Sequence, residues 1–307
     1  MRRSLPESRN FLAIPRSVSA YSTSAIAIVS APYEHSVSYG SGTGKGPAAI
    51  LDASHYVEFW DEELKRELCF EKGIATLPPL QFGKKRNEAA VSLIYKEVAS
   101  VLADDKFCVT IGGEHTISAA PIRAHFERFP GMSVLQFDAH SDLRVEYQGN
   151  PFSHASVMAR VSEFFPPERI VQLGIRAQCR EEAEFIRDRG VKTFYAREVR
   201  NGTHGSDWMG KIIRSLTDAV YITFDVDYFD PSVMPGTGTP EPGGFFWDET
   251  IELLMRISAV KRIVGFDIVE LAPMETQPHA AYLAAKLLYK ILNIAFYPAS
   301  PRKRRLH

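Results

Sequence analysis

The chain has 307 residues, 45% of them apolar, enough to bury a substantial core. Its 36 basic and 37 acidic residues leave a formal net charge of −1, so no whole-chain charge points to nucleic acid or to an anionic membrane as a partner. The purely apolar stretches, such as 25–29, fall far short of the roughly 20 residues a membrane helix needs, and three scattered cysteines, Cys69, Cys108 and Cys179, read as reduced thiols of a cytoplasmic protein.

In chain order, residues 1–22 carry Arg2, Arg3, Arg9 and Arg16 among serines, a composition shared with organelle presequences. Pro6, Glu7 and Pro15 count against that reading, and a short surface arm is the expectation. Short β-branched runs at 25–29, 107–111, 133–137, 170–173, 219–224 and 262–266 read as strands. Stretches with apolar residues at three-to-four spacing, at 87–103, 116–129, 181–189, 248–259 and 278–295, read as helices. Alternation of the two, with strands that are nearly all apolar, predicts an α/β fold: a three-layer αβα sandwich around a mainly parallel sheet. No linker or repeat divides the chain, so one domain over 1–307 is expected, ending in a solvated basic tail at 298–307.

In such sheets the functional residues lie just beyond the carboxyl ends of the strands. The run 107–111 leads into Gly112-Gly113-Glu114-His115, and 133–137 into Asp138-Ala139-His140-Ser141-Asp142. The run 219–224 leads into Asp225-Val226-Asp227, and 262–266 into Asp267-Ile268-Val269-Glu270. Alternation along an extended segment lets Asp138, His140 and Asp142 converge, as it does Asp225 and Asp227. With His115 these make six candidate ligands, too many for one tetrahedral zinc and suited to two harder divalent ions, with manganese favoured over zinc. Two such ions can share a hydroxide able to attack a poor electrophile. Four ligand carboxylates and Glu270 leave a negative pocket that repels a phosphate and holds a guanidinium. Glu270 is the candidate clamp for that group, and His154, in the loop after the cluster, the candidate acid for the departing amine.

The same residues carry a family resemblance. Gly112-Gly113-Glu114-His115, Phe137 to Asp142, Ser153-His154-Ala155, Phe224 to Asp227 with Pro235 to Gly244, and Phe266 to Glu270 resemble the motifs of the arginase and agmatinase family of ureohydrolases, nearer its agmatinase branch. The resemblance runs from about residue 11 to 295. It implies the arginase-like fold, two Mn2+ per subunit held by His115, Asp138, His140, Asp142, Asp225 and Asp227, and a homo-oligomer, trimer or hexamer. It also implies His154 and Glu270 as catalytic and substrate-binding residues, with Asp142 orienting the hydroxide.

The leading expectation is therefore hydrolysis of agmatine to putrescine and urea by attack of a metal-bridging hydroxide on the guanidinium carbon. Aminopropylagmatine, guanidinobutyrate, guanidine and arginine stay open as substrates, and arginine is disfavoured because the loop Leu143 to Asn150 differs from the arginase form. Arg144 in that loop suits a cationic substrate only if it turns away or pairs with Glu146; an acidic substrate tail is the alternative. A non-catalytic metal-binding homologue and a two-metal phosphatase are the rivals from other classes. The segment Gly40 to Pro47 fails the phosphate-loop pattern and reads as a turn near the mouth of the site. Asp267 and Glu241 read as structural, and His35 as the one other histidine whose loop borders the pocket.

Overall fold

A computed structural model describes residues 2–297, so the expected tail 298–307 lies outside the described residues. Eight strands form one sheet: β1 (Ile26–Ala31), β2 (Ile74–Thr76), β3 (Phe107–Gly112), β4 (Ser133–Phe137), β5 (Ile170–Leu173), β6 (Lys192–Phe194), β7 (Ala219–Asp225) and β8 (Arg262–Val269). Their order is β2-β1-β3-β8-β7-β4-β5-β6, and every pairing is parallel.

Burial on both faces explains why the strands read as continuous apolar runs. Successive residues enter opposite cores: Ile26 and Ile28 pack on one side of β1, Ala27 and Val29 on the other. On the first side lie the helices Gly46–Ser54, Trp208–Ser215, Trp247–Ser258 and His279–Ala295; Glu88–Ala103, Ala119–Arg128 and Arg180–Arg189 cover the second. The three-layer arrangement is thus as the alternation predicts.

Several elements depart from the sequence reading. The edge strands β2 and β6 have only three residues each, too few to show a pattern, and are held by pairing to β1 and β5. The helices Gly46–Ser54 and Trp208–Ser215 were also unexpected; the first begins at Gly46-Pro47, where proline's fixed φ suits a first helical turn. The N-terminal stretch is not a surface arm. Phe11, Leu12 and Ile14 are fully buried, and the Leu5 and Phe11 N–H groups donate to the Thr76 carbonyl and hydroxyl. Cys69 and Cys108 are buried free thiols, and Cys179 is a partly exposed one. Among the described residues no helix is long and apolar enough to cross a membrane.

Candidate active site

The four central strands β3, β8, β7 and β4 are consecutive neighbours, so their carboxyl ends deliver side chains to one place. Beyond β3 the chain squeezes past Tyr33: a Cβ on Gly113 would lie 2.0 Å from the Tyr33 carbonyl oxygen, so only glycine lets the strand continue into Glu114 and His115. Beyond β7, the Asp225 carboxylate accepts the Asp227 N–H at 2.9 Å and turns the chain so that both carboxylates face inward. Asp142 (φ 55°) and Glu270 (φ 66°) adopt the left-handed conformation, which costs a non-glycine residue about 1 kcal/mol or more. The backbone is held there by Glu270 N–H donating to the Gly113 carbonyl at 2.8 Å, and by the Asp142 carbonyl accepting the Met158 and Ala159 N–H groups.

The six expected ligands form two nests that share Asp138. In the first, His115 Nδ1 lies 3.0 Å from Asp138 Oδ2, 3.0 Å from Asp142 Oδ2 and 3.2 Å from Asp225 Oδ2. In the second, His140 Nδ1 lies 2.8 Å from Asp227 Oδ2 and 3.7 Å from Asp138 Oδ1. His115, Asp138 and Asp142 can hold one ion, and Asp138, His140 and Asp227 another.

Three observations fit this donor set to divalent ions. Thr223 has one hydroxyl proton and gives it to Asp267 Oδ1 at 2.8 Å, so at 3.0 Å it accepts from His115 Nε2–H, which leaves Nδ1 as the ring atom that turns to three carboxylates and can bind an ion. That buried Nδ1 makes no hydrogen bond. Adjacent donors about 2.1 Å from an octahedral ion stand about 3 Å apart, which is the spacing seen here.

The electrostatics ask for the same positive charge. Burial and the Asp227 and Asp142 charges raise Asp138 to about 7, and burial with Asp227 and Asp138 raises Asp225 well above the carboxylate range. Burial disfavours charge on His140, yet Asp227 and Asp138 overcome it and raise the ring to about 11; Asp227, opposed by its own burial, falls to about 2 beside that ring. Burial opposes charge on His115 in the same way, yet Asp138, Asp142 and Asp225 overcome it and raise that ring, so near neutral pH a metal-free cluster keeps protons on both rings that incoming ions must displace. Metal uptake is expected to release protons, with affinity rising with pH as the two rings give theirs up. Calorimetry in buffers of different ionisation enthalpy reads that release, and a buffer-independent enthalpy contradicts it.

Asp267 is structural, as the sequence suggests, but its position bears on the site: it accepts from Ser118, Thr223 and Tyr221 directly behind His115. Thr223→Val removes the acceptor that fixes the His115 tautomer, and metal affinity is expected to fall about 10–100-fold. Thr223→Ser should keep it, and equal affinities in all three proteins by metal titration would contradict the role.

Glu270 and His154 sit beside the nests. Glu270 Oε1 accepts the His115 N–H at 2.6 Å, and burial pushes this carboxyl well above the usual range. His154 lines a cavity of about 410 Å³ together with His140, Asp142, Arg144, Tyr147 and Glu241. Arg144 does not pair with Glu146. Its guanidinium lies over the Tyr147 ring at 5.2 Å and its Nε is 3.8 Å from Glu182, which the helix Arg180–Arg189 brings in from 38 residues away. Arg176 spends its guanidinium on the carbonyls of residues 174, 227, 228, 229 and 241.

The segment Gly40 to Pro47 does border the mouth, with Gly40 N–H donating to the Gly238 carbonyl. Ser38 lines the cavity, and the His35 backbone is tied to Glu114. Ser36, Ser38, Glu182 and Thr223 were not singled out from sequence; only Thr223, two residues before Asp225 on the same strand face, carried a local signal.

The sequence profile of the Arginase family matches residues 24–293. The chain is 38% identical over 294 residues to N(1)-aminopropylagmatine ureohydrolase of Synechocystis sp., covering 94% of each chain. It is 32% identical over 273 residues to agmatinase of Bacillus subtilis, covering 85% of this chain and 88% of that one. Agmatine ureohydrolase of Thermoplasma volcanium superposes with a TM-score of 0.83 at 28% identity, over 96% of this chain and 94% of the other. The chain belongs to the arginase family, on its agmatinase-like branch.

Proposed function

We propose that this agmatinase-like hydrolase releases urea from a linear guanidinoalkylamine at a site holding two manganese ions. The observation that supports it best is the pair of carboxylate–histidine nests beneath a mouth whose arginines are already engaged. Arg144 is answered by Glu182 and Tyr147, which removes the argument for an acidic substrate tail. Glu241 lines the same cavity, and its carboxylate has no hydrogen-bond or ion-pair partner among the described residues. That leaves an anion at the mouth for a distal ammonium.

Agmatine, the substrate expected from sequence, meets this description. N1-aminopropylagmatine meets it too, and the higher identity to a relative with that name favours the longer amine. Product release as a diamine or triamine would make the reaction a step in polyamine synthesis. The resemblance to the family supports a cytoplasmic homo-oligomer, trimer or hexamer.

His115, Asp138, Asp142 and Asp225 would hold one ion, and Asp138, His140 and Asp227 the other. Bound there, the ions supply Lewis acidity that makes water a nucleophile at neutral pH. Asp142, with a carboxylate at the cavity floor, orients that water and takes part of its hydrogen bonding. Glu270, ionised by the cationic guanidinium that docks against it, fixes the plane of that group with charge-assisted hydrogen bonds, its own position set by the His115 N–H. His154 gives a proton to the departing nitrogen, without which an alkylamine leaves poorly.

The test is kcat/KM for N1-aminopropylagmatine, agmatine, 4-guanidinobutyrate, arginine and guanidine, measured side by side. The proposal predicts both amines ahead of the other three by about tenfold or more, the worth of one well-placed charge contact. A preference for guanidinobutyrate would return Arg144 to the substrate and overturn the assignment of the mouth.

A further inference from the structure

His154 is held from behind by a chain of hydrogen bonds that begins at a buried carboxylate with no part in the chemistry described above. Glu114 is fully buried and accepts four donors. Its Oε2 takes the N–H groups of His35 and Ser36, each at 2.6 Å, and its Oε1 takes the hydroxyls of Ser36 and Thr116, each at 2.9 Å. The two serines of this loop bracket the His154 ring: Ser36 Oγ lies 3.4 Å from Nδ1, and Ser38 Oγ lies 3.3 Å from Nε2. Ser36 Oγ also accepts the His154 backbone N–H at 3.0 Å.

The proton count along this chain has one solution. Ser36 has a single hydroxyl proton and donates it to Glu114, so toward His154 its oxygen only accepts. His154 Nδ1 must then be the donor of that pair and keeps its hydrogen whether the ring is neutral or charged. The exchangeable proton belongs to Nε2, on the side of Ser38, which lines the reaction cavity. Ser38 can donate to a bare Nε2 or accept from a protonated one, so it fits both states of the ring.

We propose that Glu114 and Ser36 are positioning residues that fix the His154 tautomer, so that Nε2 is the atom that delivers the proton to the departing amine. This rests on the proton-donor role given to His154 above. In that step the carbon–nitrogen bond to the departing amine breaks and its electron pair stays on that nitrogen. The nitrogen takes the Nε2 proton, the attacking oxygen gives its remaining proton to Asp142 as it becomes the urea carbonyl, and the ring is left neutral with hydrogen on Nδ1. A ring with the opposite tautomer presents a bare Nδ1 to Ser36 and, once neutral, cannot accept the next proton at Nε2.

The experiment compares Ser36→Ala, Ser36→Thr and His154→Ala in the full-length manganese-loaded enzyme. It measures urea release and metal content on the manganese-loaded proteins, together with ring 15N chemical shifts of His154 recorded with diamagnetic Zn2+ in place of manganese and assigned by its absence in His154→Ala. In the native protein the neutral ring is expected to carry its hydrogen on Nδ1. Ser36→Ala should abolish that preference and lower kcat about tenfold or more, a share of the roughly 10²–10⁴ that a general acid supplies, with KM and metal content unchanged. Ser36→Thr, which keeps the hydroxyl, should restore both. A hydrogen on Nε2 in the neutral native ring overturns the proposal, as does an unchanged kcat in Ser36→Ala or a loss of metal in that variant. Full activity in His154→Ala would instead remove the proton-donor role itself, a failure distinct from loss in His154→Ala with none in Ser36→Ala.

Discussion

Replacement of Asp138 by alanine is expected to abolish turnover and metal retention together. Among the described residues Asp138 is the one carboxylate that takes part in both groups capable of holding an ion: Oδ2 faces His115, and Oδ1 faces His140 while accepting its backbone N–H at 2.6 Å. Its removal takes a donor from each nest, so neither ion is left with its full set. Metal activation of water contributes several kcal/mol, and urea release should fall about a thousandfold or more. The fold is a separate matter. Without metal the four buried carboxylates are offset only in part by the charge on the histidine rings, and deleting one relieves part of their repulsion. The metal-free variant should therefore melt no lower than the metal-free parent, while the rise in Tm that manganese gives the parent disappears. Two tightly bound ions in Asp138→Ala, found by elemental analysis, would contradict the assignment.

The second large effect separates ligand from proton donor. His154 shares the cavity with His140 and Asp142, yet its ring nitrogens face Ser36 and Ser38 and it is absent from both ligand groups. His154→Ala should thus keep the ions and the affinity for substrate, and lose about 10²–10⁴ in kcat, the range of general acid–base catalysis. A fall in bound manganese would make His154 a ligand. A rise in KM with kcat unchanged would make it a binding residue only.

Much of the site could be read in the sequence because the chemistry sits where a strand ends. His115, Asp138, Asp225 and Glu270 each follow an apolar run by zero to three residues, and the runs at β3, β8, β7 and β4 prove to be consecutive in the sheet. Parallel pairing brings those ends to one side without any further information. What was illegible depends on contacts between distant segments. Ser36 meets His154 across 118 positions, and Leu143 N–H meets Glu182 across 39, through loops with no periodicity. Arg144 shows the same difficulty: Glu146 is its neighbour in sequence, but the helix Arg180–Arg189 supplies the carboxylate it faces. The edge strands β2 and β6 escaped detection because three residues carry too little pattern, and the N-terminal stretch was misread because exposed residues such as Arg3, Arg9, Arg16 and Ser17 outweigh Phe11, Leu12 and Ile14 on its buried side.

The most direct test of the two-ion hydrolase is a manganese titration of the metal-free protein, with urea release from N1-aminopropylagmatine and agmatine followed at each step. The geometry of two nests sharing Asp138 predicts that activity climbs to a plateau at two equivalents per chain and vanishes on chelation. Full activity in excess chelator, or no urea from either amine with two ions bound, would contradict it.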